Sequence, residues 1–219
     1  MGNLLKQVAV ALWQFVRYRV MRIFRPGQPS PAPPPVLMPG VPLRIDLGCG
    51  SHKQPGFLGC DRRAFPGVDI VMEMTGRWPW HDASVDEAHM SHVLEHFTGL
   101  QRVHIFNELY RVLKPGAGAV IITPHWASNR AYGDFTHAWP PVSEMLYSYV
   151  SKGWRKVHAP DNDIEWNPVG YDCDFESEIV YTLPADIAAL DEVAQNKAVK
   201  FYKEACLDMA VRIKAIKPA

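Results

Sequence analysis

The chain has 219 residues, 47% of them hydrophobic, and equal numbers of basic and acidic residues, 23 of each. This length can bury one sizeable hydrophobic core. The charges are unevenly spread: residues 1–25 carry a net +5, residues 26–42 carry no charge, and residues 43–219 therefore sum to −5. An acidic body argues against a general nucleic-acid-binding protein. The four cysteines lack the spacing of a zinc knuckle or a disulfide framework, which predicts a reducing, cytoplasmic location.

Residues 1–25 are predicted to form a basic amphipathic helix. If residues 4–24 are helical, one face carries the apolar side chains of Leu5, Val8, Leu12, Val16 and Ile23. The segment is too interrupted by polar residues to provide the run of about 20 apolar residues that spans a bilayer, and it lacks a signal-peptide cleavage site. Two interpretations stay open: docking on an anionic membrane surface, or docking on a partner protein, on the chain's own domain or on a second copy.

Residues 26–42 contain eight prolines and no charged residue. This composition predicts a semi-rigid spacer of the polyproline type. The spacer would separate the N-terminal helix from a single domain over residues 43–219.

The domain begins with a strand that runs directly into a glycine turn. Residues 44–50 read Arg-Ile-Asp-Leu-Gly-Cys-Gly, with one carboxylate, Asp46, near the end of the strand. Glycine is required where the backbone takes left-handed angles or comes very close to a ligand. Such a turn predicts a nucleotide-sized crevice at the carboxyl edge of an open α/β sheet.

The rest of the domain alternates between strand and helix patterns. Further strands are predicted over 57–61, 68–72, 87–91, 118–123, 176–183 and 207–216, and helices over 99–113 and 185–204. The sequence Lys114-Pro115-Gly116 is a typical helix stop. This alternation predicts an α/β protein with a doubly wound, mostly parallel sheet.

Four motifs carry a family resemblance. They are Asp46-Leu-Gly-Cys-Gly50, Asp61, Ser91-His-Val-Leu-Glu-His96 and Glu108-Leu-Tyr-Arg-Val-Leu-Lys-Pro-Gly116. In order and spacing, over residues 42–135, they resemble the class I S-adenosylmethionine-dependent methyltransferases. The resemblance implies a Rossmann-like sheet of about seven strands with an antiparallel last strand, and S-adenosylmethionine as the cofactor.

The resemblance also implies roles for the residues of the glycine turn. Gly48 and Gly50 would let the backbone approach the amino-acid part of the cofactor, with Asp46 next to its ammonium group. Asp61 would accept both ribose hydroxyls, since the two oxygens of a carboxylate can bind a vicinal diol. The third glycine of the family falls at His52. Structural alternatives for the two aspartates are a helix N-cap and a turn residue.

Two further residues are predicted at the cofactor. Met74 follows the third strand and is expected either at the adenine or in the core. His92 is expected at the cofactor's edge, with Glu95 and His96 opening the next helix beside the substrate. For Glu95, the alternative is a favourable charge at a helix N-terminus.

The segment His92–His96 has a second interpretation, because it matches H-x-x-E-H. In that pattern two histidines bind zinc and the glutamate is a catalytic base. The pattern requires a long helix, whereas here it follows a predicted strand. We therefore predict no metal site.

The segment after the fifth strand, residues 124–139, is rich in polar and aromatic side chains. It leaves the carboxyl edge of the sheet, where ligands bind in open α/β folds, so it predicts a substrate site. The predicted substrate-binding residues are His96, His125, Asn129 and Arg130, and the predicted catalytic residues are Glu95, Asp134 and His137. These groups would orient an acceptor or take its proton.

The sequence thus predicts methyl transfer from S-adenosylmethionine to a small-molecule, sugar or lipid-linked glycan acceptor. The alternative is a non-catalytic, methyltransferase-like binding or scaffold module within a larger assembly.

Overall fold

The computed structural model describes residues 40–160 and 170–218. The predicted N-terminal helix and the predicted spacer up to residue 39 lie outside the described residues. The described residues form seven strands: β1 (Arg44–Leu47), β2 (Leu58–Asp61), β3 (Ile70–Val71), β4 (Val85–Ser91), β5 (Leu113–Pro124), β6 (Phe175–Thr182) and β7 (Asp208–Ala215).

The seven strands form one sheet in the order β3-β2-β1-β4-β5-β7-β6. The first five strands pair in parallel, and β7 is antiparallel to both β5 and β6. This arrangement confirms the predicted Rossmann-like fold with an antiparallel last strand. Because the strand order reverses at β1, the carboxyl ends of β1 and β4 border the crevice in which open α/β sheets bind ligands.

Six α-helices lie in the described ranges: α1 (Gly99–Val112), α2 (Arg130–Gly133), α3 (Glu144–Tyr149), α4 (Lys152–His158), α5 (Ala185–Ala188) and α6 (Glu192–Phe201). A capping box between Thr98 and Gln101 fixes the start of α1. The helix then buries Phe106 and Leu109 completely against the sheet. None of these helices has the length and apolar character needed to cross a lipid bilayer.

Three local predictions need correction. The strand predicted over 118–123 begins at Leu113, directly after α1, because Leu113 already pairs with Val85 of β4; the register then shifts, and regular pairing resumes at Gly118 with Glu87. The helix predicted over 185–204 is two helices, since the side chain of Asp191 accepts the N–H of Ala194 and starts a new helix there. A doubly wound sheet normally has helices between its parallel strands, but the segments that connect β1, β2, β3 and β4 consist of turns. The glycines and prolines in these segments disfavour helix.

The turn after β1 depends on Gly48. Its φ is +71°, and an added Cβ would lie 2.4 Å from Cγ2 of Val93, which belongs to the His92–His96 segment. Both the backbone angle and the close approach therefore require glycine at this position.

Gly56 provides a matched control for a substitution at Gly48. Its φ is +81°, but an added Cβ would meet no atom within 4 Å. We expect Gly48→Ala to lower the free energy of unfolding by about 1–3 kcal/mol more than Gly56→Ala does, because overpacking adds to the backbone strain that both share. Chemical denaturation of the two variants measures the difference. Equal losses would contradict the close approach to Val93.

Candidate functional site

Asp46, near the end of β1, is buried and held from two sides. Its Oδ1 accepts the Nδ1–H of His89 at 2.7 Å, and its Oδ2 accepts the backbone N–H of Gln54 at 2.8 Å. His89 lies in β4, directly opposite Asp46 in the parallel register. The predicted helix N-cap alternative for Asp46 is wrong, since no helix follows β1. Each carboxylate oxygen retains a second acceptor position.

Asp61, at the end of β2, faces the same glycine turn. Its Oδ2 accepts the N–H of Gly50 at 3.0 Å, and its Oδ1 accepts the N–H of Arg63 at 2.9 Å. Gly50 has a φ of +52°. His52, at the position of the family's third glycine, has no positive φ, so a side chain is tolerated there.

Met74 lies in the hydrophobic core rather than at an open edge. It is 8% exposed, and its carbonyl oxygen accepts the indole N–H of Trp78 at 3.0 Å. Of the two positions predicted for Met74, the adenine site and the core, the structure therefore shows the core.

The His92–His96 segment is not a helix of the zinc-hydrolase type. Only Leu94–His96 form a 3-10 helix, and α1 begins later, at Gly99. Glu95 and His96 thus precede α1, which corrects the prediction that they open it. The cause is the capping box at Thr98, which places the helix start beyond them.

His92 and Glu95 form a pair at the crevice. His92 is exposed and has a φ of +54°, and its Nδ1 lies 3.4 Å from Oε1 of Glu95. This carboxylate raises the pKa of His92 against the opposing effect of partial burial. Glu95 is only 4% exposed, and its Oε2 has no hydrogen-bond partner among the described residues.

Arg102, which the sequence analysis did not single out, joins this segment to the predicted substrate loop. It is buried on α1, and its guanidinium donates to the carbonyl oxygens of Leu94, Glu95, Ala138 and Pro140. The backbone N–H of Ala138 also donates to the Glu95 carbonyl at 2.8 Å. The sequence offers one sign of this role: Arg102 lies next to Val103, on the apolar side of the helix predicted over 99–113.

Three of the predicted substrate-loop residues have structural partners. His125 is fully buried, and its Nε2 lies 2.8 Å from Oε1 of Glu144, so its predicted substrate contact is corrected to a structural role. Arg130 forms an ion pair with Asp208. Asn129 is exposed, and its backbone N–H donates to Glu204.

The two predicted bases in the loop differ in character. Asp134 is exposed, and hydrogen bonds from the hydroxyl and the N–H of Thr136 lower its pKa, which makes it a weak base. His137 is half-buried, and its Nδ1 lies 3.2 Å from the carbonyl oxygen of Ala131. Its ring packs edge-on against His96, with 4.8 Å between the centroids. His137 is the better placed of the two proton acceptors.

A cavity of about 370 Å³ opens beside the same loop. Its lining comprises Trp126, Ala127, Tyr132, Lys200, Phe201, Tyr202 and Lys203. The ammonium groups of Lys200 and Lys203 lie 5.3 Å and 5.8 Å from the ring centroids of Phe201 and Tyr132. Sequence reasoning missed residues 200–203, because their approach to the loop depends on how α6 ends.

Residues 45–122 match the model of a family described as a methyltransferase domain. This match covers about a third of the chain and supports the class I methyltransferase family. The predicted family is thereby confirmed, and the match supports S-adenosylmethionine as the cofactor. The matched residues contain β1, the glycine turn, Asp61 and the His92–His96 segment. No curated protein matches the chain.

The chain is also similar to solved structures. A methyltransferase from Archaeoglobus fulgidus is 18% identical, with a TM-score of 0.53 over 80% of this chain and 86% of that one. A geranyl diphosphate C-methyltransferase from Streptomyces coelicolor A3(2) is 18% identical, with a TM-score of 0.47 over 81% and 74%. A phosphoethanolamine N-methyltransferase from Haemonchus contortus is 13% identical, with a TM-score of 0.41 over 87% and 50%. The similarity to the Archaeoglobus fulgidus protein is one of fold.

The contact between His92 and Glu95 predicts a measurable change in the pKa of His92. We expect the pKa of His92 to be higher in the wild-type protein than in Glu95→Gln, because the carboxylate stabilises the imidazolium. This stabilisation is present while His92 is protonated and is lost as the pH rises through its raised pKa. A titration of the ring protons by NMR checks the shift, with the exposed His81 ring as an internal reference. An identical His92 curve in both proteins would contradict the interaction.

Proposed function

We propose that the protein transfers a methyl group from S-adenosylmethionine to an acceptor bound beside the 124–139 loop. The observation that carries the proposal is the glycine turn between two fixed carboxylates: Asp46 is oriented by His89, and Asp61 by Gly50. The cofactor carries an amino-acid part and a ribose, both of which need polar partners. The residues present fit both, because each carboxylate oxygen can accept a further hydrogen bond.

In this proposal Asp61 holds the ribose hydroxyls, and the backbone around Gly48 lies against the amino-acid part. The bound cofactor supplies an electrophilic methyl group on a sulfonium. The protein then has to align the acceptor with that methyl group, and alignment alone can supply much of the acceleration. For a hydroxyl acceptor, Nε2 of His137, which lies 3.8 Å from Oδ2 of Asp134, would take the proton.

The acceptor we propose has an apolar body and an anionic group. The cavity beside the loop combines the rings of Trp126, Tyr132 and Phe201 with the ammonium groups of Lys200 and Lys203. Aromatic walls suit an apolar chain or ring, and the two cations suit a phosphate or a carboxylate. A lipid-linked or small amphiphilic acceptor meets both requirements. Docking of residues 4–24 on a membrane or a partner stays a prediction outside the described residues, as does the cytoplasmic location.

The cofactor site is tested by calorimetric titration with S-adenosylmethionine and S-adenosylhomocysteine. We expect the wild-type protein to bind both and Asp61→Ala to lose at least tenfold in affinity, about 1.4 kcal/mol, because the ribose contact is removed. Asp186→Ala changes an exposed aspartate on α5 and serves as the control. If the folded wild-type protein does not bind either ligand, the non-catalytic scaffold becomes the better account.

The acceptor cavity has its own probe, dodecyl phosphate below its micellar concentration. We expect it to raise the melting temperature of the wild-type protein, and dodecyl maltoside, which lacks the anionic group, not to do so. The double variant Lys200→Gln/Lys203→Gln should lose the effect of the phosphate. An equal shift from both amphiphiles, or in both proteins, would rule out a site for an anionic group.

A further inference from the structure

The fold brings three metal-ligating side chains together that are separated in sequence. One ligand atom each from Glu95, His96 and His137 lies within 4.8 Å of those of the other two. Glu95 and His96 belong to the 3-10 helix after β4, and His137 belongs to the 124–139 loop. The contacts of Arg102 and Ala138 described above hold these two segments against each other.

The hydrogen bonds of both imidazoles are made by Nδ1, and Nε2 of His137 has Oδ2 of Asp134 3.8 Å away. The Nδ1–H of His137 donates to the carbonyl oxygen of Ala131 at 3.2 Å. The Nδ1 of His96 lies 3.0 Å from Oγ1 of Thr136, whose own hydroxyl donates to Asp134 at 2.7 Å. The Thr136 oxygen therefore accepts from His96 Nδ1–H. Metal-binding histidines are typically oriented in this way, through an N–H bond from the ring nitrogen that does not bind the metal.

Glu95 supplies the negative charge such a site needs. Its carboxylate is buried, and Oε2 has no hydrogen-bond partner among the described residues, while Oε1 faces His92. A buried carboxylate oxygen without a partner is costly, and a bound cation would satisfy it. His96 is exposed and His137 half-buried, so an ion can reach the cluster from solvent.

We propose that Glu95, His96 and His137 bind one divalent first-row transition metal, for which zinc is the best match. Two imidazoles and one carboxylate are a common zinc ligand set, and three protein ligands leave a position for water or a substrate oxygen. Zinc bonds of about 2.0–2.2 Å place ligand atoms about 3.3–3.5 Å apart, so small side-chain rotations must close the site. This ligand set differs from H-x-x-E-H: His92 is not a ligand, and Glu95 binds the metal instead of acting as a base. With the metal bound, His137 is likewise a ligand and no longer the proton acceptor proposed above, and a metal-bound water or hydroxide would take that role. The proposal replaces the prediction of no metal.

The test is a calorimetric titration of the full-length, metal-stripped protein with Zn²⁺. We expect one ion per chain, and at least tenfold weaker binding in His96→Ala, His137→Ala and Glu95→Gln. The control is His81→Ala, which removes an exposed histidine on another loop. Circular dichroism verifies that each variant is folded. No binding to the wild-type protein, or unchanged binding to folded His137→Ala, would overturn the site.

Two further measurements separate this site from a non-specific one and from the cofactor site. Thr136→Val keeps all three ligands and leaves the Thr136 carbonyl oxygen, 3.4 Å from His96 Nδ1, but it removes the nearer hydroxyl acceptor at 3.0 Å, and we expect about tenfold weaker zinc binding. Wild-type affinity in this variant would contradict the proposed orientation of His96. Asp61→Ala should bind zinc normally, so failure of the cofactor proposal would not affect this result.

Discussion

The close packing of Gly48 against Val93 is the constraint on which the rest of the site depends. Gly48 follows β1 and Val93 follows β4, and these strands are neighbours in the sheet. No side chain fits between them, so the glycine turn and the His92–His96 segment have to be built as one unit. The positions of His92 and Glu95 follow from where Val93 must lie. Two motifs that are separate in the sequence therefore form a single structural feature.

The polar groups of the crevice are oriented by the protein itself. Asp46 is fixed by a strand neighbour, and Asp61 by the N–H of Gly50 in the turn. Arg102 similarly fixes the end of the 124–139 loop through the carbonyl oxygens of Ala138 and Pro140, which ties this loop to α1. A site whose groups are already held in place loses less conformational entropy on binding. This rigidity also keeps the charge of Glu95 buried beside the histidines.

Much of the fold, and the place of the glycine turn and of the carboxylates beside it, could be predicted from the sequence, because those signals are local. A strand, a glycine turn and carboxylates at strand ends are each visible within a few residues, as for Gly48 and Asp61. The remaining features depend on contacts between distant residues. His89 matters only because of its register with Asp46, and nothing local distinguishes the buried His125 from the accessible His137. The helix predicted over 185–204 failed for a different reason, since the capping side chain of Asp191 was not recognised.

The cofactor site is tested most directly by a crystal structure of the full-length protein with S-adenosylhomocysteine. The account predicts the ribose hydroxyls on the carboxylate of Asp61 and the amino-acid part against the turn of Gly48 and Gly50. It also predicts that the bond between Asp46 and His89 persists in the complex. A ligand bound elsewhere, or a ribose without a contact to Asp61, would contradict the assignment of the crevice as the cofactor site.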